Sequence, residues 1–126
     1  MLATAKMIGF VPTTDSKRAR DFYEGKLGFQ FVNDDQFALV MRAGDNLVRV
    51  AKAGKFTPAP YTVLGWEVTK IQDEVRALAA RGIVFEKYPF VQDQETGIWT
   101  TPNGDRVAWF KDPDGNVLSL SEHVKQ

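Results

Sequence analysis

The hydrophobic and polar positions along the chain change period in a fixed order, and then repeat that order. Residues 7–11 carry the pattern of a short strand, with Pro12 at its end, where a missing N–H is tolerated. Ala19, Phe22, Tyr23 and Leu27 then recur at helical spacing. Thr14 or Asp15 is placed to cap that helix, and Gly28 to end it in the left-handed position. Three strands are predicted next, over 29–33, 37–42 and 47–52. Asn33-Asp34-Asp35 and Ala43-Gly44-Asp45-Asn46 supply the turn chemistry between them.

Residues 54–60 break the pattern, because Pro58 and Pro60 interrupt any regular pairing. The order then restarts with a strand over 63–68 and a helix marked by Ile71, Val75, Leu78 and Ala79 and ended by Gly82. Strands over 84–88, 98–101, 106–111 and 117–120 follow, with turns at Pro102-Asn103-Gly104-Asp105 and at 112–116. Ile8-Gly9-Phe10 is echoed by Leu64-Gly65-Trp66, a weak internal repeat of the kind duplication leaves. The pattern predicts one α+β domain of two βαβββ modules, about 5–53 and about 61–122, joined by a linker of about 54–60. Their curved mixed sheets would surround a cleft, with one helix backing each sheet. Strand alternation turns Val11, Trp66, Leu118 and Leu120 toward the helices. It turns Ile8, Phe10, Val63, Gly65, Val117 and Ser119 toward the cleft.

Composition narrows the function classes. At 126 residues the chain is one domain by size, long enough for a self-sufficient core. Sixteen Lys and Arg balance sixteen Asp and Glu, so no overall field draws nucleic acid or an anionic membrane. The absence of cysteine excludes disulfides, thiolate metal sites and cysteine catalysis. No signal-peptide pattern opens the chain and no apolar run approaches the ~20 residues of a membrane helix, so a cytoplasmic protein is expected.

Two motifs carry a resemblance. Asp15-Ser16-Lys17-Arg18-Ala19-Arg20-Asp21-Phe22-Tyr23 leads to Leu27-Gly28-Phe29, and Asp112-Pro113-Asp114-Gly115-Asn116 lies near the C-terminus. In that order and spacing they resemble the vicinal oxygen chelate superfamily of glyoxalases, bleomycin-resistance proteins and extradiol dioxygenases. The resemblance runs from Met7 to Leu120. It implies a His opening the first strand of each half and a Glu three residues after the Asp-Pro-Asp-Gly-Asn turn, all ligands of a divalent metal. The corresponding positions here hold Ile8, Val63 and Ser119. Two hydrocarbons and a hydroxyl cannot replace converging imidazole and carboxylate donors. No metal and no cofactor is therefore expected. The resemblance also implies a homodimer, and open sheet edges give a physical reason for pairing.

Other residues could take over a site. Arg49, between Val48 and Val50, would point into the cleft and favour an anionic group such as a carboxylate. Buried alone it would be costly, and Glu67 is one candidate partner. An exposed arginine near a sheet edge is the equal alternative. Phe10, Trp99, Trp109 and Phe110 could line an apolar pocket or fill the core, with Trp99 best placed as a ligand contact on a cleft rim. His123, the single histidine, suits proton transfer near neutrality, but its position favours a solvated tail beside Glu122 and Lys125. The 112–116 segment lacks the alternating ligands of a calcium loop and fits a tight turn. Nothing brings Asp34, Asp35 and Glu122 together for acid–base work, and no Ser-His-Asp spacing stands out.

The expected ligand-binding set is Ile8, Phe10, Arg49, Val63, Glu67, Trp99, Phe110 and Ser119, with no catalytic residue assigned. It points to a metal-free small-molecule binder of the glyoxalase or bleomycin-resistance type, favouring an apolar or anionic ligand. Bleomycin itself is cationic and fits a charge-neutral chain poorly. Two alternatives stay open. One is a lyase, isomerase or dioxygenase-like enzyme with an atypical metal site or none, using Glu67, Arg49 or Tyr61. The other is a regulatory or partner-binding module whose cleft is filled by its own rings.

Overall fold

The computed structural model describes residues 1–124. The chain divides into two compact units that meet in sequence between Pro58 and Ala59. The first contains β1 (Ile8–Thr13), α1 (Ser16–Arg20, running on as a π-helical turn over Asp21–Lys26), β2 (Gln30–Asp34), β3 (Ala38–Ala43) and β4 (Asn46–Lys52). The strands lie in the order β1-β4-β3-β2, with β1 and β4 parallel and the other pairs antiparallel.

Local chemistry sets the ends of α1. The Asp15 carboxylate accepts the Arg18 N–H at 3.1 Å, satisfying one of the free donors of the first turn. At the other end the Leu27 N–H reaches back to the Phe22 carbonyl at 3.1 Å, a five-residue step that widens the helix. Gly28 then takes φ +79° and the Phe29 N–H closes on the Tyr23 carbonyl at 2.9 Å, a left-handed stop that glycine adopts without a Cβ clash. Ala19, Phe22 and Tyr23 are buried, as are Val11, Leu39, Met41, Val48 and Val50 on the sheet face that alternation turns toward them.

The second unit contains β5 (Thr62–Glu67), α2 (Ile71–Ala80), β6 (Trp99–Thr100), β7 (Arg106–Lys111) and β8 (Val117–Glu122), in the sheet order β5-β8-β7-β6. The β5–β8 pair is parallel. Both units thus follow the expected order of strand, helix and three strands. Helix α2 lacks a cap from its own Lys70. Its Ile71 N–H instead donates at 2.9 Å to Glu122 of β8, a residue 51 positions away. A carboxylate at a helix N-terminus also suits the helix dipole. Phe110 is the centre of this core, 1% exposed, with Phe85 against its edge at 5.3 Å and Trp66 stacked at 6.1 Å.

One predicted strand is corrected. Residues 84–88 form no ladder; a single bridge joins Phe85 to Phe110, and the Glu86 N–H donates to the Trp109 carbonyl at 2.8 Å. The chain then leaves the edge of β7 and returns only at the two-residue β6. Pro89 has no N–H to continue the pairing. Asp93 folds the departing segment into a turn by accepting the N–H groups of Glu95 and Thr96. Gly97 makes the return at φ +82°, where a Cβ would lie 2.9 Å from the Glu86 carbonyl oxygen. Among the described residues no helix is long and apolar enough to cross a membrane.

Candidate functional site

Each sheet has a face turned away from its helix, and the ladders show what those faces present. In the first unit Phe10 pairs with Arg49 and Arg49 with Val40, while Ile8 pairs with Leu47 and Leu47 with Arg42. Ile8 is 47% and Phe10 60% exposed, so this face is apolar and open at β1. Ile8 and Leu47 also line an open hollow of about 630 Å³ with Lys6, Met7, Arg42 and Asp45. Arg49 makes no ion pair within 4 Å among the described residues. Its charge still reaches Asp35. That carboxylate is held below its ordinary value chiefly by the Phe37 and Ala38 N–H groups it accepts, with Arg49 and Lys52 adding to the effect.

In the second unit Gly65 pairs with Ser119 and Ser119 with Trp109; Glu67 pairs with Ser121, Ser121 with Val107 and Val107 with Trp99. A bulge in β5 leaves Val63 unpaired between Thr62, opposite Val117, and Leu64, opposite Leu118. Gly65 is there for space. A Cβ on it would lie 3.1 Å from the Ser119 hydroxyl and 3.2 Å from its carbonyl oxygen.

The ladders also align the two halves. Phe10 faces Arg49 as Gly65 faces Ser119. The apparent echo of Ile8-Gly9-Phe10 in Leu64-Gly65-Trp66 is therefore one residue out of register. The truer repeat is Asn46-Leu47-Val48-Arg49 against Asn116-Val117-Leu118-Ser119, which makes Arg49 and Ser119 equivalent positions.

Four rings gather on the open face of the second sheet. Tyr88 stacks on Phe90 at 5.5 Å and meets Trp109 edge-on at 5.6 Å. Phe90 meets Trp99 at 5.7 Å and Trp109 at 5.8 Å, and the two tryptophans lie 5.9 Å apart. Phe90 remains 56% exposed, so the wall is not sealed. Trp99 and Trp109 are among the rings the sequence pattern offered. Phe110 does not join them, because alternation along β7 sends it into the core. Tyr88 and Phe90 went unrecognised; their one signal was the ring–Pro–ring spacing of residues 88–90.

The donor set does not fit the divalent metal that the resemblance implies. Ile8 opens β1, Val63 is the bulged residue of β5, and Ser119 on β8 offers only a hydroxyl. Among the described residues no group of three or more His, Asp or Glu side chains is gathered as metal ligands. The Asp112 carboxylate, buried at its turn, accepts from the Asp114 and Asn116 backbone N–H groups and from the Asn116 amide. That is turn chemistry, as its pattern predicted. Asp34 pairs with Lys52 and Glu122 caps α2, so these carboxylates have structural work.

His123 is not a free tail residue. Its Nδ1 lies 3.0 Å from Asp105 Oδ2 and its Nε2 3.0 Å from Ser121 Oγ. Asp105 Oδ1 accepts the Val124 N–H at 2.9 Å. That bond first, and then the His123 hydrogen bond, hold the Asp105 carboxyl below its ordinary value. A Ser-His-Asp contact thus exists that spacing along the chain did not reveal. Lys125 lies outside the described residues.

The family model of the Glyoxalase/Bleomycin resistance protein/Dioxygenase superfamily matches residues 5–120. No curated protein matches the chain by sequence. Among solved structures, a superfamily member from Sphaerobacter thermophilus DSM 20745 is 25% identical, with 98% of this chain and 100% of that one covered at a TM-score of 0.75. A glyoxalase family protein from Enterococcus faecalis is 20% identical over 97% and 100% of the two chains, with a TM-score of 0.73. TnmS3, an antibiotic binding protein from Streptomyces sp. CB03234, is 23% identical over 98% and 99%, with a TM-score of 0.72. At such identities the last two likenesses concern the fold alone.

Proposed function

Because the chain belongs to the Glyoxalase/Bleomycin resistance protein/Dioxygenase superfamily, we propose that it is a cytoplasmic small-molecule binder that works without a metal. Its second module would hold a planar, largely apolar compound against the wall of Tyr88, Phe90, Trp99 and Trp109. The observation that carries this reading is the wall itself: four rings linked by stacked and edge-on contacts on an open sheet face, with Phe90 more than half exposed. Stacked and edge-on ring contacts favour flat ligands beyond the area they bury. A structural neighbour that binds an antibiotic supports the same use of the fold. On the first module Arg49, with no ion-pair partner among the described residues, would favour a compound carrying a carboxylate.

Tryptophan-fluorescence titration with planar aromatic compounds, neutral and carboxylated, tests this. Saturable quenching is expected. Each lost ring contact is worth about 0.5–1.5 kcal/mol, so Trp99→Ala should raise Kd about two- to tenfold. Arg49→Ala should leave this quenching unchanged and should weaken, by equilibrium dialysis, the binding of carboxylated compounds to the first module. A broad library that neither quenches nor stabilises the protein would sink the reading.

A further inference from the structure

We propose that Ser121, His123 and Asp105 form a nucleophile, base and orienting carboxylate that can take an acyl group from neutral aryl esters. The contacts run through the correct nitrogens. Asp105 Oδ2 lies 3.0 Å from His123 Nδ1 and the Ser121 hydroxyl 3.0 Å from Nε2, so in the neutral Nδ1–H tautomer Asp105 accepts from the ring and Nε2 is the base facing Ser121. A serine is a weak nucleophile until such a base takes its proton, and the base must be held in the right tautomer. Asp105 is itself anchored by the Val124 N–H, so it is a positioning residue. Ser121 and His123 are the catalytic residues. The His123 side chain is 50% exposed, which leaves the pair open to a substrate.

The surroundings select the substrate class. Glu67 pairs with Ser121 across the β5–β8 ladder and disfavours anionic esters. Trp99 lies two strands from Ser121 on the same face, about 10 Å at the strand spacing of roughly 4.8 Å. Trp109 is its diagonal neighbour. An aryl group on the ring wall would bring its ester carbonyl to Ser121; this choice of substrate rests on the wall reading above, whereas the nucleophile stands on its own contacts.

In the first step Ser121 Oγ bonds to the carbonyl carbon and its proton passes to His123 Nε2. The carbon–oxygen bond to the leaving aryl alcohol breaks, and the alcohol takes that proton. Water then repeats the sequence on the acyl-serine. The sum is ester plus water giving acid plus alcohol.

The test uses the full chain and diisopropyl fluorophosphate, with the adduct located by peptide mass. Modification of Ser121 is expected, with Ser16 and Ser119 unmodified. His123→Gln should slow it at least tenfold, and Ser121→Ala should abolish it. His123 is the only histidine, so its imidazole nitrogen shifts can be read without ambiguity. They should report the Nδ1–H tautomer, and Asp105→Asn should remove that preference. No Ser121 adduct on folded protein, equal labelling of all three serines, or a rate indifferent to His123→Gln would overturn the proposal. Quenching of tryptophan fluorescence by naphthyl acetate in Ser121→Ala protein reads the ring wall alone, so the two ideas fail separately.

Discussion

Single residues in this chain take their roles from what surrounds them, and Asp35 is a measurable case. Its carboxylate accepts the N–H groups of Phe37 and Ala38 at 2.7 and 2.9 Å and lies in the field of Arg49 and Lys52. All of these favour the ionised form, so the folded value lies below the unfolded one of about 3.9. The sign follows from linkage. The stabilisation is present above the unfolded value and is lost as pH falls through the folded one. Asp35→Asn keeps an acceptor oxygen but carries no charge. Its melting temperature should therefore fall less steeply than the parent's as pH drops from about 5 to about 2, a range set by that linkage. Equal slopes for the two proteins would show that the Asp35 charge contributes nothing.

At the scale of elements, what the sequence made legible was local. The cap of α1, which the sequence narrowed to Thr14 or Asp15, and the Gly28 stop depend on neighbours within a few residues, so both were legible locally. Alternation sorted β1 and β4 correctly, because each has one buried and one open face; on β8 it placed Leu118 and Leu120 in the core but missed that Val117 is buried as well. Three features escaped, and each depends on a distant partner. The failed pairing of residues 87–98 is decided at the edge of β7, the Val63 bulge by β8, and the His123 contact by a turn 18 residues upstream. Phe110 shows the consequence of parity. One position along β7 separates a ring-wall residue from the centre of the core. Truncating a buried Phe removes its transfer energy and leaves a cavity, so Phe110→Ala should destabilise the fold by about 3–5 kcal/mol. Trp109→Ala, on the half-exposed face, should lower stability by much less. Urea unfolding of the two variants measures the contrast, and similar losses would mean that the two faces of β7 had been assigned wrongly.

For the whole molecule the deciding comparison is between a repeated scaffold and the residues placed on it. Both units keep the strand–helix–strand–strand–strand order, and Arg49 and Ser119 stand at matching places after matching asparagines. A divalent ion held against dialysis needs several converging nitrogen or oxygen donors. Ile8 and Val63 supply none, and Ser119 supplies one hydroxyl. His123 is the chain's single histidine, and both its nitrogens are engaged by Asp105 and Ser121. Incubation with zinc, nickel, manganese or iron, followed by dialysis and elemental analysis, should therefore leave far less than one ion per chain. Retention of a full equivalent would contradict this account. If that ion were then lost in His123→Gln, the Ser121–His123–Asp105 cluster would be the metal site, and its tautomer signature should vanish on loading.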